Sequence, residues 1–141
     1  MARQRSIRDA VAGSGIGVHS GKRVDIRLLP APADSGITFR RTDLDTPAEI
    51  PARANLVRDT QLCTALVDDR GVRVATIEHL MSALAGVGID NIIIELNAPE
   101  VPIMDGSAAP FVYLLQQAGI REQDAAKRFI QILEPVEVRE G

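Results

Sequence analysis

Residues 76–96 read TIEHLMSALAGVGIDNIIIEL, and the fold turns on how apolar positions repeat along this stretch. Ile77, Leu80, Met81, Leu84 and Val87 follow the i, i+3, i+4, i+7 spacing of one helix face, which predicts a helix over 77–87. Thr76 stands where an N-cap belongs, and Gly86 and Gly88 are stop signals. Beyond Asp90-Asn91 the spacing changes to the unbroken run Ile92-Ile93-Ile94-Glu95-Leu96, whose β-branched content predicts a buried strand.

Upstream, residues 62–67 and 72–76 flank Asp68-Asp69-Arg70-Gly71, a hairpin signal. Residues 22–30 alternate cleanly, with Val24, Ile26 and Leu28 on one face and Arg23, Asp25 and Arg27 on the other, the period of a half-buried strand. Residues 37–41 predict another strand and 48–54 a weaker one. Residues 3–18 read as a strand or hairpin entering a turn rich in glycine (Gly13, Gly15, Gly17, Gly21). Downstream, Pro99 and Pro102 end the 91–97 strand. Ser107 is placed to cap a second helix over 108–118, with Pro110 in its first turn and Gly119 at its end. The order of strands, helix, strand, helix predicts an α+β domain, two helices packed on one face of a mixed sheet. Polar residues 121–127 read as a linker, and Phe129 to Val138 as one more strand pattern. The expected organisation is therefore a domain over 1–120, a linker over 121–127, and at 128–141 the first strand of a second domain whose remainder is missing.

The composition excludes several function classes. At 141 residues, with 45% apolar and 25% charged, the chain can bury a core without disulfides. Its net charge of −3 lacks the clustered cations of nucleic-acid binding, and only Phe39, Phe111, Phe129 and Tyr113 could stack on bases. A single cysteine, Cys63, rules out an internal disulfide or a cysteine-rich zinc knuckle. No apolar run approaches the roughly 18 residues of a transmembrane helix. Residues 1–9 carry Arg3, Arg5, Arg8 and Asp9 without the apolar stretch of a secretory signal, so a cytoplasmic location is expected.

The glycine-rich turn fails as a phosphate loop. Ser20 occupies the last position of a G-x-G-x-x-G beginning at Gly15, and Ile16 and Arg23 stand where a P-loop needs Gly and Ser or Thr. A tight turn or bulge built from conformationally permissive residues accounts for it better. Of the two histidines, His19 and His79, the second directly follows Glu78 in the first turn of the predicted helix. The helix dipole there favours negative over positive charge, and adjacent helical residues diverge by about 100°. One side chain could hold a metal while the other reaches a water, the arrangement that hydrolyses amides. This is not H-E-x-x-H, however: Ala75 and Ala83 lie four residues to either side of His79, and a catalytic zinc takes three protein ligands. A surface Glu and a packed His would also explain the pair. Asp105 could cap the second helix or orient a histidine or touch substrate. Cys63 is by default a small core residue, and Arg40, Arg41 and Arg58 a solvated face.

Several segments together closely resemble the family of UDP-3-O-acyl-N-acetylglucosamine deacetylases. They are Gly15-Ile16-Gly17-Val18-His19-Ser20-Gly21, Phe39-Arg40-Arg41-Thr42-Asp43-Leu44, Thr76-Ile77-Glu78-His79-Leu80, Gly88-Ile89-Asp90-Asn91, and Glu100-Val101-Pro102-Ile103-Met104-Asp105-Gly106-Ser107-Ala108. The resemblance implies a zinc amidase of lipid A synthesis that removes acetate from the 2-amino group of an acylated UDP-sugar. It also implies two similar α+β domains with the site between them. On it, His79 is a zinc ligand and Glu78 the general base, while His19, Cys63 and Asp105 belong to the substrate cleft. The family's other zinc ligands, a histidine and an aspartate, and its general-acid histidine lie in the second domain, so these 141 residues alone are expected to be inactive. The competing expectation is a non-catalytic module that binds a sugar nucleotide or a partner protein.

Overall fold

The alternating segment around Val24 sits near the middle of the molecule because one of its faces can be sealed by helices. The computed structural model describes residues 1–141. Its elements are β1 (Arg3–Ile7), β2 (Val11–Ile16), β3 (Arg23–Pro30), β4 (Ile37–Arg41), β5 (Ala48–Pro51), a 3₁₀ turn (Ala54–Leu56), β6 (Val57–Asp59), β7 (Ala65–Val67), β8 (Arg73–Val74), α1 (Glu78–Val87), β9 (Ile92–Leu96), α2 (Ala109–Ala118) and β10 (Ile120–Ala126).

The main sheet has the order β2-β3-β9-β4-β5, in which β4 and β9 run parallel and every other pair antiparallel. The helices and this mixed sheet make the expected α+β architecture. In β3 the alternation is as expected, with Val24, Ile26 and Leu28 fully buried and Arg23, Asp25 and Arg27 exposed. Strand β9 lies between β3 and β4, pairing Ile94 with Leu28 on one side and Phe39 on the other. Its isoleucine run nonetheless alternates: Ile92, Ile94 and Leu96 enter the core, while Ile93 and Glu95 are half-buried on the opposite face. Glu95 there meets Arg27 at 3.4 Å and Arg40 at 3.5 Å.

Both helices press onto the inward face. Leu80, Ala83 and Leu84 from α1 and Phe111, Leu114, Leu115 and Ala118 from α2 join the inward strand residues in one core. Each fully buried Leu or Phe contributes about 1.5–3 kcal/mol of transfer free energy. Gly88 ends α1 in the left-handed conformation (φ 81°), its N–H donating to the carbonyls of Leu84 and Ala85, whereas Gly86 lies inside the helix. Glycines in β2 and just after it serve close approach. A Cβ on Gly15 would lie 2.8 Å from the Met104 sulfur, and one on Gly17 would overlap the Glu100 carboxylate. Of Gly13, Gly15, Gly17 and Gly21, only Gly21, at the turn, has a positive φ.

A second, small sheet, β6-β7-β8, carries the hairpin around Asp68–Gly71. The buried Arg41 guanidinium joins it to the main sheet. That guanidinium donates two hydrogen bonds to Asp43 at 2.7 Å and one to the carbonyl of Arg73 at 2.8 Å.

The structure corrects the expected linker. Residues 120–126 form β10, which pairs antiparallel with β1. Its one buried residue, Gln123, faces polar partners, accepting from Asn91 Nδ2 and donating to the Ala31 carbonyl, both at 2.8 Å. A strand whose inward side is amide rather than hydrocarbon has no hydrophobic alternation to betray it. The strand pattern at 129–138 is also not realised as a strand. It has no hydrogen-bonded neighbour, and Phe129, Ile130, Ile132, Leu133, Val136 and Val138 are each at least 74% exposed.

Candidate active site

The chain enters α1 along a short parallel bridge between Ala75 and Glu100. The Ala75 N–H donates to the Pro99 carbonyl at 2.9 Å, and the Ala75 carbonyl accepts from Val101 N–H at 3.0 Å. Thr76 then turns into the left-handed region at φ 57°. For a β-branched residue this backbone is strained, and such strain gathers at functional sites. Its hydroxyl does not cap α1, contrary to expectation. Ile77 is the N-cap residue, no side chain caps the helix, and Thr76 Oγ1 is buried with no hydrogen-bond partner.

Glu78 and His79 follow as the first two helical residues, both half-buried. Glu78 Oε2 accepts the Thr64 N–H at 3.1 Å, and the Thr64 carbonyl accepts the Ile77 N–H at 3.3 Å. These bonds draw the 60–64 segment against the start of α1 and fix one oxygen of the Glu78 carboxylate. Cys63, next to Thr64, is a half-buried free thiol and not a core residue. Leu62 beside it has φ 60° and is 96% exposed. The His79 ring makes no hydrogen bond, and its Nδ1 is buried without a partner.

Asp105 stands ahead of α2 and is exposed. Its Oδ1 accepts the Ser107 hydroxyl at 2.7 Å and the Ser107 N–H at 2.9 Å. The Ser107 hydroxyl and N–H hold this carboxyl below its usual range, with a smaller contribution from the His79 ring nearby. Ser107 Oγ accepts the Ala109 N–H at 3.2 Å, so the expected cap of α2 is partly realised from one residue outside the Ala108 N-cap.

His19 is exposed on the turn after β2. It shares a shallow cleft of about 370 Å³ with Ser20, Arg73, Ala75, Pro99 and Glu100. No hydrogen bond joins it to Glu78 or His79. Glu100, a residue to which sequence reasoning gave no role, is 2% exposed and accepts the His19 N–H at 3.2 Å and the Ser20 N–H at 2.9 Å. Burial pushes this carboxyl up, but the Ser20 hydroxyl, the two N–H donors and the His19 ring outweigh it and hold it below its usual value. Its partners lie some eighty residues away in sequence, so no local pattern could have singled it out. A separate groove of about 580 Å³ around Arg23, Asp25 and Arg27 contains none of the candidate residues.

The donor set tests the fit to zinc. Nowhere do three His, Cys, Asp or Glu side chains gather closely enough to hold a metal ion. His79 suits one position of a catalytic site that takes three protein ligands, and these residues alone do not complete it. A ligating histidine ordinarily donates its second ring N–H to a carboxylate or carbonyl, a partner that Nδ1 of His79 lacks. No helix is long and apolar enough to cross a membrane.

Residues 4–141 match the family model described as UDP-3-O-acyl N-acetylglycosamine deacetylase. Relatives named UDP-3-O-acyl-N-acetylglucosamine deacetylase align over the whole chain, with 59% identity in Idiomarina loihiensis, 61% in Vibrio vulnificus and 59% in Vibrio cholerae. The chain spans 46% of the length of each of these relatives.

Proposed function

The chain belongs to the UDP-3-O-acyl N-acetylglycosamine deacetylase family, and on that premise we propose that it furnishes one side of an amide-hydrolysing centre. The substrate is UDP-3-O-acyl-N-acetylglucosamine, and the products are acetate and the free 2-amine, a step of lipid A synthesis in the cytoplasm. Glu78 is the general base. Its Oε2 is fixed by the Thr64 N–H, which leaves Oε1 to take a proton from the attacking water. The oxygen of that water adds to the acetyl carbonyl, the C–N bond then breaks, and the amine leaves after gaining a proton from a group outside these 141 residues. His79 is this chain's ligand for zinc, which when bound supplies positive charge to offset the charge developing on the carbonyl oxygen. The remaining ligands belong to the part of the relatives' length that this chain does not match. His19 lines the shallow cleft assigned to the sugar nucleotide, and Cys63 and Asp105, outside that lining, are its further contacts nearer Glu78 and His79.

The observation that carries this reading is the pair Glu78–His79 at the strained, uncapped start of α1, with one Glu78 oxygen fixed by the Thr64 N–H. Acetate release from UDP-3-O-acyl-N-acetylglucosamine tests it. A full-length protein carrying these residues should turn over, and the purified 141-residue chain should release little or no acetate. Near-normal turnover by the 141 residues alone contradicts the shared centre. Sugar-nucleotide binding with no turnover in the full-length protein supports a non-catalytic module instead.

A further inference from the structure

The turn that carries His19 and the segment that delivers Glu78 and His79 are distant in sequence, yet one residue touches both. Glu100 is paired through its backbone with Ala75, three residues before Glu78. Through its side chain it accepts the N–H groups of His19 and Ser20, one on each oxygen. A carboxylate that is 2% exposed is costly to desolvate unless its oxygens are bonded, and here both are. Gly17 belongs to the same device. A Cβ there would overlap the Glu100 carboxylate, and the Gly17 carbonyl closes the turn by accepting the Gly21 N–H at 2.9 Å. Arg73, which lines the same cleft, pairs with Asp59 at 3.0 Å and not with Glu100, whose carboxylate is left to the turn.

We propose that Glu100 is a positioning residue that braces the His19 turn against the approach to Glu78–His79 and so holds His19 at the wall of the substrate cleft. The bracing stands on geometry alone, while its consequence for turnover rests on the deacetylase reading above. Acting through His19, Glu100 touches neither substrate nor the reacting atoms.

Two measurements test this. The first is amide hydrogen exchange on the 141-residue chain. E100A should lower protection at His19 and Ser20 by about tenfold or more while the amides of Ile92–Leu96 keep theirs, and E100Q, which retains one acceptor oxygen, should fall between. Unchanged protection at His19 and Ser20, or a loss spread equally over Ile92–Leu96, overturns the brace. Should E100A fail to fold, E100Q makes the same comparison. The second is a double-mutant cycle in the full-length enzyme. E100Q should raise KM severalfold with kcat changed less than about twofold, and should add nothing further in an H19A background. Additive effects, or equal losses in kcat and kcat/KM, overturn action through His19. If H19A alone alters neither constant, the cleft reading fails, and the exchange experiment still decides the brace.

Discussion

The two helices are equal in length, ten residues each, but they begin in opposite ways. Ahead of α2, Asp105 accepts from Ser107, the Ser107 hydroxyl accepts the Ala109 N–H, and Pro110 occupies the first turn. Ahead of α1, Thr76 is forced to φ 57°, its hydroxyl is buried without a partner, and so is Nδ1 of His79. Met104 also has a positive φ before α2, but it is unbranched and four residues from the N-cap. One helix start satisfies its free donors locally, and the other leaves polar groups unsatisfied beside a carboxylate and an imidazole. Departures from local rules of this kind are expected where a site must be preorganised.

If the difference lies only in the starts, the helix bodies should be interchangeable in energy. Leu80→Ala in α1 and Leu115→Ala in α2, both at fully buried positions, should each cost about 3 kcal/mol in urea unfolding of the 141-residue chain. A large excess at Leu115 would mean that α1 is loosely packed as a whole, and the comparison would lose its meaning. The starts themselves should respond with opposite signs. Ser107→Ala should destabilise by about 1 kcal/mol through loss of a helix-start acceptor. Thr76→Gly should stabilise by up to about 1 kcal/mol, because glycine accepts the left-handed backbone and removes the orphaned hydroxyl. Destabilisation by Thr76→Gly would show that the threonine is a structural support.

Acid should produce a smaller effect. Glu100 and Asp105 are both held below their ordinary values of 4.5 and 3.8 in the folded chain. A carboxyl with a depressed folded pKa contributes stability above its unfolded pKa and loses it as pH falls through the folded one. Unfolding free energy should therefore decline as pH drops below about 4.5, and E100Q should flatten that decline more than D105N, because Glu100 is buried and Asp105 exposed. An identical acid slope in wild type and E100Q would remove the charged form of Glu100 from the account.

Much of this was legible in the sequence, for physical reasons. The helices and the central strands announce themselves because burial on one side imposes a period, as at Ile77-Leu80-Leu84 and Val24-Ile26-Leu28. β10 escaped because its inward residue is Gln123, buried against Asn91 and a carbonyl, so the strand reads as surface. The 129–138 pattern stays unpaired in this chain, since alternation alone cannot supply a neighbour to pair with. Glu78 and His79 could be singled out as candidates because they are adjacent in the sequence. Thr76 misled because capping depends on a backbone angle that residue type does not fix. Glu100 stayed hidden because what gives it a role is contact with His19 and Ser20, which only the folded chain brings near.

The proposed function divides labour in the first turn of α1, with His79 holding metal and Glu78 moving a proton. Zinc content and turnover measured together on full-length E78Q and H79Q test it most directly. The account predicts that E78Q keeps its zinc while turnover falls by at least about a hundredfold, and that H79Q loses the zinc itself. Loss of zinc from E78Q with unchanged turnover per bound metal would contradict it.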